Sequence, residues 1–353
     1  MDEDRFRGAV LGFLAGDMYG APFEGTPGAA LRDTELPAEF AAGQHLGVAG
    51  IVPGGRYTDD SNQMLATAAS VCDHDGAVDG LDIVRRCAQF AVDNPRGYPG
   101  SVQALFERVR AGDSLDVLAT CQFPDGSYGN GGPCKILPVA LMYAGMGAAA
   151  RDRLAAAGGL TALVAHAIRG SHAHADAVEA ACVLAAAIDF NLHTSAAAYD
   201  GHAMLQHVLS SATRPGSGMH RRVSALHRHL HRPTWASLFM LLSEPAGDDT
   251  GARVEDYYSM PFQIEATTAT ACALWAFLDG PVTRPPLEAF QSAVRLGGDT
   301  DSIAAMTGAL LGSLLGTAAL PAGWLDRMEN GPYGRDFADQ LARRLHALAT
   351  QQQ

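Results

Sequence analysis

Two short segments of the chain crowd carboxylates beside hydroxyls: Thr58-Asp59-Asp60-Ser61 near its start and Asp299-Thr300-Asp301-Ser302 near its end. Each follows a pair of glycines and precedes a run that reads as a helix. One reading is helix capping, since Asp, Ser and Thr oxygens accept from the orphan amides of a first turn and acidic groups favour that end of the helix dipole. A cap needs one side chain, however, and close carboxylates raise each other's pKa unless a cation compensates. The two segments also share one composition, two aspartates with flanking hydroxyls. Oxygen-only donors of this kind suit Mg²⁺, Mn²⁺ or Ca²⁺ rather than zinc. If the fold joins the segments, their carboxylates can hold two ions, orient ligand oxygens and lower the pKa of a bound water.

A third segment, Gly126-Ser127-Tyr128-Gly129-Asn130-Gly131-Gly132, has four glycines in seven residues. Glycine lets a backbone approach a ligand closely and aim its amides at it. The run that follows is expected to form a helix from near Lys135, with an N-terminus that favours a diphosphate. Lys135 is the only lysine in the chain, and in a first turn it would either be solvated or else touch ligand or order the glycine-rich loop. The stretch His220–His231 lacks a cysteine or carboxylate to complete a metal set, and on a helix His229 points away from His227 and His231. It reads as a solvated face.

The elements that must position these groups are helices. Residues 5–19 place Phe6, Val10, Phe13 and Leu14 on one stripe. Gly8, Gly12 and Gly16 share that spacing, which predicts a close helix–helix crossing in the core. Helical periodicity also marks residues 62–72, 80–92, 101–111, 135–147, 153–169, 174–189, 202–211, 219–230, 263–278, 286–295, 302–316 and 335–349. No run of alternating β-branched residues stands out, and no Gly/Pro-rich break is long enough for a flexible linker. The expectation is an all-α fold, one compact orthogonal multi-helix domain over residues 1–353.

Composition limits the partners. The net charge of -13 disfavours a general nucleic-acid-backbone binder, and no sequence-specific nucleic-acid contact is expected. A phosphate-bearing small molecule remains compatible through backbone amides and metal ions. The six cysteines form no C-x-x-C pair, so a disulfide framework is not expected and a reduced cytoplasm fits better. The start, MDEDRFRG, is acidic and unlike a signal peptide, and the apolar stretch Gly8–Phe23 contains Asp17 and is too short to span a bilayer. The expected protein is cytoplasmic, without membrane contact, and a monomer or weak oligomer.

The acidic segments resemble the two metal motifs of the ADP-ribosylhydrolase family, which includes dinitrogenase reductase-activating glycohydrolase. Gly12-Phe13-Leu14-Ala15-Gly16-Asp17 through Pro22-Phe23-Glu24 is similar to that family's opening helix and acidic loop. Gly126–Gly132 resembles its glycine-rich ligand loop, and Ser171-His172 its Thr-His pair. Asn94-Pro95-Arg96-Gly97-Tyr98, the ligand loop and Met260-Pro261-Phe262 look most like the branch that removes ADP-ribose from serine, poly(ADP-ribose) and O-acetyl-ADP-ribose.

The resemblance implies two Mg²⁺ ions, with Mn²⁺ as the alternative, on Thr58, Asp59, Asp60, Asp299, Asp301 and Ser302. Ser302 stands where threonine is usual and keeps the ligating oxygen. Glu24, Asp60 and Asp299 are expected to carry catalysis, with Glu24 either on a metal or acting as acid/base. Gly126, Ser127, Tyr128, Gly129, Asn130 and His172 are expected to bind substrate, Tyr128 stacking on adenine with Phe123 as a second wall. Pro133-Cys134-Lys135 departs from the family's small-Met-Arg. The implied substrate is an ADP-ribose-containing small molecule or an ADP-ribosylated protein, serine-linked in preference to arginine-linked. Two alternatives stay open: a metal-dependent phosphoester hydrolase acting on a nucleotide, and a non-catalytic ADP-ribose-binding protein.

Overall fold

A computed structural model of the protein describes residues 1–31, 33–44, 51–230, 264–278 and 284–352. The chain runs through α1 (Glu3–Gly20), α2 (Gly28–Leu31), β1 (Gly43–Gln44), β2 (Ile51–Val52), α3 (Asp59–Asp73), α4 (Gly80–Asp93), α5 (Gly100–Arg110) and α6 (Leu115–Thr120). It continues through α7 (Gly131–Lys135), α8 (Leu137–Gly145), α9 (Ala148–Ala156), α10 (Gly159–Ile168), α11 (Ala175–His193), α12 (Gly201–Ala212) and α13 (Gly218–His229). The last described helices are α14 (Ala266–Leu278), α15 (Pro286–Arg295), α16 (Thr300–Leu315), α17 (Trp324–Arg327) and α18 (Arg335–Gln351). The fold is all-α; among the described residues one small sheet pairs β1 and β2 antiparallel, Gly43 opposite Val52.

Two expected helices are divided. The 135–147 run starts earlier, at Gly131, and is interrupted between Lys135 and Leu137, where Pro138 opens α8. Proline has no amide to continue a helix and is tolerated only in a first turn. The 153–169 run divides at Gly158, whose φ of 102° ends α9 and starts α10.

α1 and α16 form the centre. Nearly all of α1 from Gly8 onward is buried, as is α16 from Thr300 to Leu314. A helix that is apolar all round belongs in a core. The segment Thr300–Ala319 is long and apolar enough to cross a membrane, yet 83% of its apolar window is buried inside the fold. The two helices pack antiparallel through the predicted glycine seam. A β-carbon at Gly8, Gly12 or Gly16 would collide with the backbone of Gly316, Gly308 or Ala304. Glycine therefore permits backbone contact that any side chain would prevent. The seam also lays the end of α1 beside the start of α16, where Thr300 Oγ1 donates to Gly20 O at 2.8 Å.

Candidate active site and metal centre

Three hydrogen-bonded arrangements build the site. Asp17, fully buried in α1, accepts from Thr58 N through Oδ1 and from Ser61 N through Oδ2, both at 2.9 Å. It thereby holds the first turn of α3 and the direction of Asp59 and Asp60. At the end of α1, Gly25 N donates to Gly298 O at 2.8 Å and Gly298 N to Thr26 O at 2.9 Å. Gly297 takes φ 70°, and a β-carbon there would strike Gly28 N, so this close pairing requires glycine. The result sets Glu24, Asp299 and Asp301 with ligand oxygens within 4.8 Å of one another. In the third arrangement, Ser302 Oγ in α16 donates to Asp60 Oδ2 at the start of α3.

Glu24, Asp59, Asp60, Asp299, Asp301 and Ser302 line one cavity of about 460 Å³. The two acidic segments and the loop glutamate therefore meet. Thr58 is different: it caps α3, its side chain accepting from Asp60 N, and it lines no described cavity. A neighbouring cavity of about 220 Å³ is bounded by Phe123 and Tyr128. Ser127, Gly129 and His172 border both cavities, and Asn130 the larger one. Gly126 lines neither; with φ 81° it forms a turn packed on Ala173 and His174.

The glycine loop is tied down on both sides. Asn130 N donates to Ile264 O at 2.9 Å, and Ala266 N to Tyr128 O at 3.0 Å. Asn130 Nδ2 donates to Asp299 Oδ2 at 2.6 Å. The helix after the loop begins at Gly131, not near Lys135, and has only five residues, too few for the N-terminal diphosphate site expected there.

Lys135 corrects a second expectation. It is the last residue of α7, 3% exposed, and lines neither of the two cavities. Its Nζ donates to Gln63 Oε1 at 2.8 Å and Ser171 Oγ at 3.0 Å. Burial draws its ammonium below the ordinary lysine value, opposed by neighbours that include Asp59 and Asp60.

The carboxylates show the strain of their packing. Burial first, then Asp17 and Asp299, push Asp59 up to about 7. Asp60 and Asp301 lie well above the carboxylate range, through burial and then neighbouring carboxylates. Burial likewise raises Asp17. One ammonium cannot balance this group of acids, whereas a divalent cation can. The donors that Glu24, Asp59, Asp60, Asp299, Asp301 and Ser302 bring to the cavity are oxygens. The adjacent Cys134 thiol is held well above its usual pKa by burial and by Asp60, so it offers no thiolate. The set fits a hard cation.

His172 is half-buried, with Nδ1 2.9 Å from Ser171 Oγ. Burial and then Lys135 press its pKa well below the ordinary histidine value, so the ring is neutral. Asp17, Gln63 and Ser171 support the site without being among its expected residues, although Asp17 and Ser171 fall in segments that resemble the family's. Apart from that resemblance, the signal in the residues is Asp17, an acid inside an otherwise apolar helical run. Met260-Pro261-Phe262 and His231 lie outside the described residues. All six cysteines are free.

Fold and site together define a class: an all-α protein with an acidic cavity able to hold a hard cation, opening beside an aromatic cleft. The chain matches the ADP-ribosylglycohydrolase family over residues 1–353. It is similar to ADP-ribosylhydrolase ARH3 of Bos taurus, 27% identical over 364 aligned positions that cover 98% of this chain and 93% of the relative. ARH3 of Danio rerio is 30% identical over 98% of this chain and 90% of its own. A solved structure described as an ADP-ribosylglycohydrolase-related protein complex aligns with a TM-score of 0.69 and 25% identity, covering 98% of each chain. The protein belongs to the ADP-ribosylglycohydrolase family and is a hydrolase acting on glycosyl bonds.

Proposed function

We propose that the protein hydrolyses the C1″ bond linking ADP-ribose to a protein side chain, to poly(ADP-ribose) or to an acetyl group, and releases ADP-ribose with the help of two Mg²⁺ ions. Serine is the favoured side chain. The observation that carries this reading is the adjacency of the two cavities, which share Ser127 and Gly129 in their linings, one acidic and the other aromatic. The relatives named ADP-ribosylhydrolase support it.

Asp59, Asp60, Asp299, Asp301 and Ser302, with Glu24, would hold the ions. When bound, such ions orient sugar hydroxyls and lower the pKa of a water. The distal ribose lies over the carboxylates, whose charge favours the oxocarbenium character that develops at C1″. Glu24 assists proton transfer at the scissile oxygen. The glycine loop receives the diphosphate through its amides, and Tyr128 and Phe123 hold the adenine between them.

The test is to incubate the protein with Mg²⁺ and serine-, arginine- and acetyl-linked ADP-ribose, and to identify products by mass spectrometry. Release of ADP-ribose from the serine linkage is expected, and its loss in both Asp299→Asn and Asp301→Asn. Near-wild-type turnover in both variants would sink the assignment. AMP or free phosphate as product would indicate a phosphoester hydrolase, and tight ADP-ribose binding without turnover a binding protein.

A further inference from the structure

Lys135 touches neither cavity, yet it sets the polarity of the wall between them. An ammonium donates and never accepts. Gln63 must therefore turn its carbonyl oxygen toward Lys135, which leaves Nε2 to donate to Asp59 Oδ2 at 3.2 Å. Ser171 Oγ must accept from Lys135, which leaves its one proton for another partner. Two acceptors are in reach, His172 Nδ1 at 2.9 Å and Ile168 O at 3.4 Å. The nearer is His172, and a hydroxyl that accepts from an ammonium becomes a stronger donor. Nδ1 then accepts, so the ring proton of the neutral imidazole sits on Nε2. Among the described residues Nε2 has no partner. It faces Gly131, where a β-carbon would come within 3.1 Å of it, and the ring borders both cavities.

We infer that Lys135 is a positioning residue that, through Ser171, holds His172 as its Nε2–H tautomer and so makes the cleft wall a hydrogen-bond donor to an anionic oxygen of the ligand. Through Gln63 the same ammonium orients Asp59. A diphosphate oxygen is the ligand group of matching chemistry. That identity rests on the proposed ADP-ribose substrate; the polarity of the chain from Lys135 to His172 does not.

Protein labelled with ¹⁵N-histidine gives a direct reading of the tautomer through long-range ¹H–¹⁵N couplings, with His172 assigned by its loss in His172→Gln. A neutral Nε2–H ring is expected in the wild type. Lys135→Met should admit the Nδ1–H form. Ser171→Ala should do the same while leaving the Lys135–Gln63 contact in place, and so covers the case in which Lys135→Met folds poorly. Each variant should raise KM for an ADP-ribosylated substrate, and Kd for free ADP-ribose, about tenfold, the loss of one hydrogen bond to a charged group. In a His172→Ala background Ser171→Ala should not raise them further, whereas Lys135→Met keeps the part of its effect that runs through Gln63 to Asp59. A wild-type Nδ1–H ring, a tautomer unchanged in Ser171→Ala, or additive effects of Ser171→Ala with His172→Ala would each overturn the inference. If no ADP-ribose linkage is cleaved, the proposed activity falls, while the tautomer measurement still decides the role of Lys135.

Discussion

Asn130 Nδ2 donates to Asp299 Oδ2 at 2.6 Å, joining the glycine loop to the late acidic segment across 169 positions of sequence. The loop and the carboxylates are therefore one unit. Asn130→Ala removes the donor that orients Asp299, and supporting partners of metal ligands typically carry about 10–100-fold in affinity or activity. A loss of that size in both Mg²⁺ affinity and turnover is expected, by calorimetric titration and steady-state kinetics. Unchanged Mg²⁺ affinity would show that the contact orders only the loop.

The raised aspartates make the cation-free protein sensitive to pH. Asp59 is pushed up to about 7 in the fold, against about 3.9 in an unfolded chain. Between those values the folded state binds more protons than the unfolded one, so this group's contribution to stability falls as pH rises. Asp60 and Asp301 shift in the same direction. A divalent cation binds the ionised form, so its affinity should climb over the same window. With a chelator present, melting temperature measured from pH 5 to 7 should fall more steeply in the wild type than in Asp59→Asn. Saturating Mg²⁺ should abolish that difference. An equal slope in the two proteins under chelation would contradict the electrostatic account.

The seam between α1 and α16 predicts a long-range effect of a single methyl. Gly12→Ala places a β-carbon against the Gly308 carbonyl, where only backbone movement can make room. A destabilisation of about 3 kcal/mol is expected, the upper end of ordinary overpacking. Because the seam also sets Glu24 beside Asp301, turnover should drop even where the variant remains folded. Chemical denaturation and activity at low temperature measure the two effects separately.

Tyr128 is 50% exposed and holds no core contact that its removal would empty. Tyr128→Ala should leave the melting temperature within experimental error. Base stacking on an aromatic ring is worth about 1–3 kcal/mol, so KM should rise about tenfold with kcat nearly unchanged. An unaltered KM would place the adenine elsewhere.

Much of this architecture is local, and the local part is readable in the residues. The helices follow from apolar spacing over a few turns, and the α1 seam from glycines recurring at that spacing. The acidic segments stand out because two carboxylates beside hydroxyls exceed what a cap requires. The divided helices show the limit of periodicity: Pro138 and Gly158 interrupt the backbone without disturbing the apolar pattern.

Long-range pairing is decided by where helices cross. Thr58 and Asp17 are 41 positions apart, and Asp60 and Ser302 are 242 apart; the first pair meets because α1 itself carries Asp17 to the start of α3, the second because α3 and α16 begin side by side. Lys135 is the sharpest case. Its type marks it as a solvated cation, and only enclosure by Gln63, Ser171 and the nearby carboxylates makes it an interior one. Residue type and spacing determine which groups can bind a cation or approach a diphosphate. Burial, and with it the charge and direction of each group, belongs to the packed chain, because the dielectric and the partners around a side chain come from segments distant in sequence.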